Sequence, residues 1–268
     1  KNSNLDLKIT TKNFIHPHEN ILVRNYELER ENNSEVDNFT FFSYSNFHPT
    51  TEKIPILPLS DYFQSKPIQI GLPIFKNSRN AHFEENSLIF TKEESYLRKN
   101  NGTSSVYVGV TPSSRIKNYQ IGTLDGKKPQ NAFEDCSDGH LSNSPSGSKT
   151  VNGALSIQWD NENTDKTVYY VASGSEEQTL NLLENARETP YPTQRNKNIE
   201  WWDNWLDRAP MPDTNNERLR EVAERSLITI RNAYDKSTGN IPASVSRQPP
   251  YFLDWTRDGA FINYALDQ

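Results

Sequence analysis

The residues best suited to chemistry lie together in one short segment, 251–258, which reads Tyr-Phe-Leu-Asp-Trp-Thr-Arg-Asp. It holds two large rings, Tyr251 and Trp255, beside the guanidinium of Arg257 and the carboxylate of Asp258. An aromatic ring packs on the apolar face of a sugar, and an adjacent guanidinium and carboxylate can hold its neighbouring hydroxyl groups. The segment therefore predicts carbohydrate recognition. The alternative is a solvent-facing Arg-Asp pair at a helix start, with the aromatic rings turned to the core.

Composition indicates a folded chain without the charge of a nucleic-acid-binding protein. At 268 residues the sequence is long enough for one large or two ordinary domains. Only 33% of it is hydrophobic, but the aromatic fraction of 11% is too high for a disordered chain. The net charge of −6 provides no basic footprint for nucleic acid. A neutral, hydroxyl-rich ligand is compatible with this charge.

Several other classes of site are absent from the sequence pattern. Cys136 is the only cysteine, so an intrachain disulfide and a cysteine-based zinc site are excluded. The five histidines show no ligand spacing, and His16 and His18 around Pro17 read as a strand edge. No apolar run is long enough to span a membrane. We therefore expect no metal-binding motif, no cofactor and no membrane partner, and a structural calcium stays open. The compartment stays open, with an extracellular or periplasmic location favoured.

The first part of the chain, residues 1–174, has the pattern of an antiparallel β-sandwich. Short runs of β-branched and aromatic residues are separated by Asn-, Gly-, Ser- and Pro-rich stretches. In residues 151–159 every second residue is apolar, which predicts one buried and one solvent-facing side. The composition of residues 136–149 predicts a surface loop. The remaining runs that we expect to form strands are 20–29, 39–44, 106–110 and 167–172.

The second part is helical, with a linker helix and connection over 175–200 followed by a domain over 201–268. Ser175 and Gln178 form a capping box that predicts a helix, which Pro190 and Pro192 end. Trp201, Trp202, Trp205 and Leu206 predict a strongly apolar turn.

Two further helices are expected near the end of the sequence. Thr214 and Glu217 form a second capping box. The helix that it opens has an apolar stripe predicted to be buried, at Leu219, Val222, Ala223, Ser226, Leu227, Ile230, Ala233 and Tyr234. The last helix is expected over 258–265. Two or three helices with wide apolar stripes cannot bury all of that apolar surface against one another. This favours the opening of a larger α-domain whose remainder lies beyond Gln268. The alternative is a small helical appendage that packs back on the sheet.

Residues 233–265 resemble the start of the catalytic domain of glucoamylases of glycoside hydrolase family 15. The similar motifs are Ala-Tyr-Asp-Lys-Ser-Thr-Gly-Asn-Ile-Pro-Ala-Ser at 233–244 and the segment 251–258. Residues 135–141 and 151–157 are similar to a loop and strand of the β-sandwich that precedes the barrel in prokaryotic members. The resemblance implies a multidomain β + α fold. Its parts would be an antiparallel supersandwich, a linker helix and the opening helices of an incomplete (α/α)6 barrel.

The resemblance also implies roles for four residues. Arg257 and Asp258 match the pair that grips the non-reducing terminal glucose, Tyr251 matches an aromatic beside that subsite, and Trp255 matches one of its walls. The family inverts anomeric configuration with two glutamates, which would lie in later barrel loops beyond Gln268. No catalytic residue is therefore assigned within this sequence, and Glu200 and Glu217 read as surface or helix-start residues.

These expectations favour the N-terminal part of an exo-acting α-glucan hydrolase that releases glucose and needs no cofactor. An α-glucan or oligosaccharide is the expected partner, and the N-terminal domain is expected to pack on the remainder of the barrel. Two alternatives stay open. One is a relative of the family that acts on trehalose or dextran, and the other is a non-catalytic carbohydrate-binding or regulatory module.

Overall fold

The computed structural model describes residues 7–30, 39–47, 78–95, 103–123, 131–159, 165–209, 211–234, 239–243 and 255–266. Contacts divide the chain into two compact units, Lys1–Arg195 and Asn196–Gln268. Across the described ranges no helix combines the length and the apolar character that a membrane span requires.

The first unit contains two antiparallel sheets, which confirms the β prediction for this part of the chain. Seven strands form the larger sheet in the order β1-β2-β10-β6-β5-β4-β8, and three form the smaller in the order β3-β9-β7. The described strands are β1 (Leu7–Ile15), β2 (Ile21–Arg30), β3 (Phe39–Ser45), β4 (Ser78–Glu84), β5 (Ser87–Ser95), β6 (Thr103–Pro112), β7 (Asn118–Thr123), β8 (Ser146–Ser148), β9 (Val151–Trp159) and β10 (Asp165–Ser173).

The two sheets share one apolar core, as expected for a sandwich. Alternate residues of a strand point to the same side of a sheet, so a strand that faces this core contributes every second residue to it. The principal buried members are Leu88, Phe90, Val110 and Val168 from the larger sheet and Ile121, Leu155 and Ile157 from the smaller one. The stacked rings of Phe83 and Tyr119, with centroids 3.6 Å apart, pack next to them.

The prediction that β9 has one solvent-facing side is wrong. All residues of β9 are buried except Gln158, which is half-buried. The second side is covered by helix α1 (Ala132–Asp138) and the chain that follows it. Ala132 and Leu141 pack there against Ala154 of the strand.

The prediction of a surface loop over 136–149 is also wrong in part, because this range contains the end of α1 and the short strand β8. Buried amide side chains of the smaller sheet hold the helix in place. Nε2 of Gln120 donates to Oδ2 of Asp135 over 2.5 Å, and Oδ1 of Asn152 accepts from the backbone N–H of Ala132 over 3.3 Å. Asn131 caps the helix by accepting from the N–H of Phe133. The polar composition of this segment therefore predicted a loop, although buried hydrogen bonds fix the segment against the smaller sheet.

Cys136 of α1 provides a prediction about thiol reactivity. Burial is the main cause that raises the pKa of this thiol from 9.0 to about 11, and the nearby carboxylates of Asp135 and Asp138 contribute to the same rise. Since the thiolate is the nucleophile, we expect iodoacetamide to alkylate the folded chain at pH 8 about a hundredfold more slowly than an ordinary thiol. The folded state holds this proton more tightly, so the thiol makes the free energy of unfolding fall as pH rises from 9.0 to about 11. The same alkylation rate in folded and urea-unfolded chain would contradict the assignment.

Helix α2 (Glu176–Glu188) confirms the predicted helix and its cap at Ser175, although the N–H of Ser175 donates to Oγ of Ser173 and not to Gln178. The side chain of Ser175 accepts from the N–H of Gln178. Proline is tolerated in the first turn of a helix, so Pro192 does not extend a linker but lies at the start of α3 (Tyr191–Leu206). Helix α2 covers the outer side of the larger sheet, where it joins a second cluster of buried residues, Ile21, Val23, Ile89, Tyr169, Val171, Leu183 and Ala186.

The second unit contains the later part of α3, helix α4 (Glu217–Ala233) and helix α5 (Thr256–Leu266). The predicted apolar turn at 201–206 is instead the end of α3. The predicted cap of α4 at Thr214 is also wrong, because Asn216 caps the helix by accepting from the N–H of Leu219. Thr214 accepts from the N–H of Asn216 and so shapes the turn before the cap. The predicted final helix is confirmed as α5.

The predicted buried stripe of α4 is not buried in the described structure. No residue of α4 is buried, and Leu219 and Val222 are 49% and 55% exposed. Ala223, Leu227 and Ile230 are half-buried. The period of the stripe is helical as predicted, but the described residues of this unit do not cover it.

Candidate carbohydrate-binding site

Three of the four predicted site residues lie in one turn at the beginning of α5. Trp255 immediately precedes the helix, and Arg257 and Asp258 lie in its first turn. The backbone N–H of Gly259 donates to the carbonyl oxygen of Trp255 over 2.8 Å, which closes this turn. The fourth predicted residue, Tyr251, lies outside the described residues.

Arg257 and Asp258 form an ion pair with each other. One guanidinium nitrogen, Nη2 of Arg257, lies 3.2 Å from Oδ2 and 3.4 Å from Oδ1 of Asp258. The carboxylate also occupies the first helical turn, where the helix dipole favours a negative charge. The pair is thus held by local chain geometry and needs no distant element to assemble it.

The exposure of these side chains bears on the two interpretations of the segment. The side chain of Arg257 is 77% exposed and that of Asp258 is 33% exposed, which fits both interpretations. Trp255 is 44% exposed, which is more than the alternative expects of a ring turned to the core. An indole, a guanidinium and a carboxylate thus lie on one turn. Such a set can stack on a sugar ring and bridge two of its hydroxyl groups.

An aromatic cluster in the same unit was not predicted as a site. The rings of Trp201 and Trp205 stack at 6.4 Å, and Trp202 meets both of them edge-on. The guanidinium of Arg231 in α4 lies 5.4 Å from the ring centre of Trp201 and 5.5 Å from that of Tyr234. These are cation–π distances. The signal in the sequence was the spacing of the tryptophans by one and four residues, which puts them on one side of a helix.

Among the described residues, a group able to hold a metal ion lies in the first unit. Its members are His82, Glu84 and Glu176, whose ligand atoms all lie within 4.8 Å of one another. Sequence spacing could not reveal this group, because Glu176 is far from the other two residues along the chain. Glu200 is exposed on α3 and Glu217 starts α4, in agreement with their interpretation as surface and helix-start residues.

Comparison of the sequence with known proteins found no similarity. No protein-family model matches the chain. No curated protein matches it either. Any relationship must therefore be sought in the fold.

The fold is similar to that of a solved glucoamylase. A crystal structure of a bacterial glucoamylase complexed with acarbose superimposes with a TM-score of 0.63 at 15% sequence identity. The match covers 98% of this chain and 37% of the glucoamylase. A family GH92 α-mannosidase from Bacteroides thetaiotaomicron gives a TM-score of 0.45 at 12% identity, over 85% of this chain and 24% of the mannosidase. An inverting GH92 mannosidase from the same organism gives 0.46 at 12% identity, over 82% and 26%.

At 15% identity the similarity to the glucoamylase concerns the fold alone. The chain spans little more than a third of the length of that enzyme. An antiparallel β-sandwich followed by helices, matched over nearly the whole chain, is consistent with the N-terminal region of glycosidases. The chain therefore has a glycoside hydrolase-like fold.

Proposed function

We propose that this chain is the N-terminal part of an inverting, exo-acting α-glucan hydrolase that releases glucose from non-reducing chain ends. One observation carries the proposal. The turn with Trp255, Arg257 and Asp258 is exposed at the start of a helix, in a chain whose fold is similar to a glucoamylase over 98% of its length. The glucoamylase was solved with acarbose, and a sugar-like ligand is what the three side chains suit.

In this proposal Asp258 accepts from a hydroxyl group of the terminal glucose, and Arg257 donates to the adjacent oxygen. Trp255 forms one wall of the subsite, and Tyr251 lies beside the subsite. A pocket closed at one end admits only a chain end, which accounts for the exo action. The acid and base would be two glutamates outside this chain, separated by about 6.5–9.5 Å so that a water molecule fits between base and sugar.

We further propose the domain division 1–174, 175–200 and 201–268, as β-sandwich, linker helix and start of an (α/α)6 barrel. The half-exposed apolar stripe of α4 supports this division. In a barrel a helix packs against neighbouring helices on both sides, and such neighbours would cover the stripe. The N-terminal domain would then pack on the remainder of the barrel. An extracellular or periplasmic location suits a polysaccharide substrate.

The purified chain alone should not hydrolyse maltose or starch. The physical reason is that it holds part of the substrate site without the acid and base, which together supply the protonation and water activation of the reaction. Glucose release can be measured with a coupled assay on chain purified through successive columns. Hydrolysis that copurifies with the chain at constant specific activity would place the catalytic groups within these residues and contradict the proposal.

The complete protein separates the proposed function from its alternatives. We expect it to release β-glucose from maltooligosaccharides, observed by NMR before mutarotation. A higher kcat/KM on trehalose or dextran would instead favour the other enzymes with this type of barrel. Binding of oligosaccharides without turnover would favour a carbohydrate-binding or regulatory module.

A further inference from the structure

Three side chains that are distant in sequence meet on the outer side of the larger sheet in the first unit. His82 and Glu84 lie two residues apart on β4 and so project from the same side of the strand. Glu176 is the first residue of α2, the helix that covers this side of the sheet. His82 is paired with Ile89, which is a member of the cluster under α2. The sheet and the helix thus bring one imidazole and two carboxylates together.

The ligand atoms of this group converge on one nitrogen, which forms an ion pair with each carboxylate. Nε2 of His82 lies 2.5 Å from Oε1 of Glu176 and 3.3 Å from Oε2 of Glu84. A single N–H on this nitrogen can point at only one of the two oxygens. The two carboxylates also repel each other unless a positive charge lies between them. A cation bound by all three atoms would contact the imidazole and both carboxylates at once.

The ligand types indicate which cation fits. Imidazole nitrogen together with carboxylate oxygen suits Zn²⁺, whereas Mg²⁺ and Ca²⁺ prefer oxygen ligands alone. Ligands at 2.0–2.2 Å around a tetrahedral Zn²⁺ stand about 3.3–3.5 Å apart. The three atoms here are already within 4.8 Å of one another, so small side-chain rotations reach that arrangement. The side chains are 30%, 49% and 36% exposed, which leaves a route for the ion and room for a water ligand.

We propose that His82, Glu84 and Glu176 form a Zn²⁺ site that fastens the first turn of α2 to strand β4. Two carboxylates and a neutral imidazole balance the charge of the ion. Bound zinc would join the N-terminal end of α2 to the sheet. Leu183 and Ala186 of the same helix already make apolar contacts with the sheet. Its role is structural and independent of the proposed carbohydrate site, which lies in the other unit.

The test is a Zn²⁺ titration of the metal-stripped chain by calorimetry, with the melting temperature measured in parallel. We expect saturable binding of one ion per chain and a higher melting temperature with zinc, because a ligand that binds the folded state stabilises it. Glu84→Gln and Glu176→Gln should each weaken binding by at least about tenfold and remove the zinc-dependent rise in melting temperature. Mg²⁺ in place of Zn²⁺ should give neither effect.

The matched control is His16→Ala, which removes the histidine of another histidine–carboxylate pair in the described chain, with Nδ1 3.7 Å from Glu19. This variant should keep the zinc affinity of the original chain. Circular dichroism establishes that both Gln variants are folded. The proposal is overturned by an absence of saturable zinc binding, by unchanged affinity in the folded Gln variants, by loss of affinity in His16→Ala or by equal affinity for Mg²⁺.

Discussion

Replacing Asp258 with alanine in the complete enzyme that we propose is expected to lower kcat/KM on maltose by about ten- to more than a hundredfold. The reason is the loss of a hydrogen bond from a glucose hydroxyl to a charged carboxylate, worth roughly 1.5–3 kcal/mol. The change also removes the partner that lies 3.2 Å from the guanidinium of Arg257 and orients it. Steady-state kinetics on maltose and the melting temperature of the same preparation provide the two measurements.

Glu217→Ala is the matched control for this prediction. Glu217 is also an acidic residue in the first turn of a helix in the second unit, but it belongs to α4 and has no proposed contact with sugar. We expect its kcat/KM to be unchanged. If Asp258 serves only in an exposed ion pair, its loss costs at most about 1 kcal/mol, and this cost affects stability and not kinetics. An Asp258→Ala enzyme with original kcat/KM would therefore contradict the substrate-binding role.

A second large effect is expected from Gly109→Ala, which should lower the free energy of unfolding by about 1–3 kcal/mol through overpacking. A Cβ atom at this position would lie 2.5 Å from Cγ2 of Thr179 and 2.6 Å from Cδ1 of Leu183, both on α2. Thr179 and Leu183 are 0% and 1% exposed, so neither can turn into solvent. Gly109 is paired with Ile89 and Val171 in the row of residues directly beneath the helix. Equilibrium denaturation measures the change.

Gly174→Ala is the control for the effect at Gly109. A Cβ atom there meets nothing within 4 Å, and the residue does not have a positive φ angle. The substitution should be neutral or stabilise the chain by about 0.4–1 kcal/mol, because alanine restricts the unfolded state. Equal destabilisation at Gly109 and Gly174 would show that close packing of α2 on β6 is not the cause.

Local patterns predicted strands β2, β3, β6, β9 and β10 and helices α2, α4 and α5, whereas they did not predict the other elements or what covers β9. The alternation in residues 151–159 correctly identified β9, but the second side of the strand is buried under α1, whose sequence is polar. The buried side chains of Gln120 and Asn152 satisfy the polar groups of that segment. Such pairing depends on contacts between distant residues, so composition alone cannot reveal it.

The capping residues show a similar limit. Ser175 was identified correctly because its turn leads directly into α2. At α4 two candidate caps, Thr214 and Asn216, lie close together, and the hydroxyl of the first accepts from the N–H of the second. Because of this turn the helix begins after Asn216 and not after Thr214, so the capping-box pattern alone selected the wrong residue.

The candidate site was predictable in part because Trp255, Arg257 and Asp258 are neighbours in sequence and share one helical turn. The group of His82, Glu84 and Glu176 could not be found in the same way, since β4 and α2 meet only in the folded chain. The cation–π contacts of Arg231 likewise depend on how α4 lies beside Trp201. Sites within one turn are thus accessible to sequence reasoning, and sites between elements require the structure.

The most direct test of the carbohydrate-binding role is a crystal structure of the complete protein with acarbose. We predict that the terminal sugar-like ring contacts the indole of Trp255. Two neighbouring hydroxyl groups should lie about 2.7–3.0 Å from the carboxylate of Asp258 and the guanidinium of Arg257. An inhibitor bound elsewhere, with Arg257 and Asp258 still paired in solvent, would contradict the account.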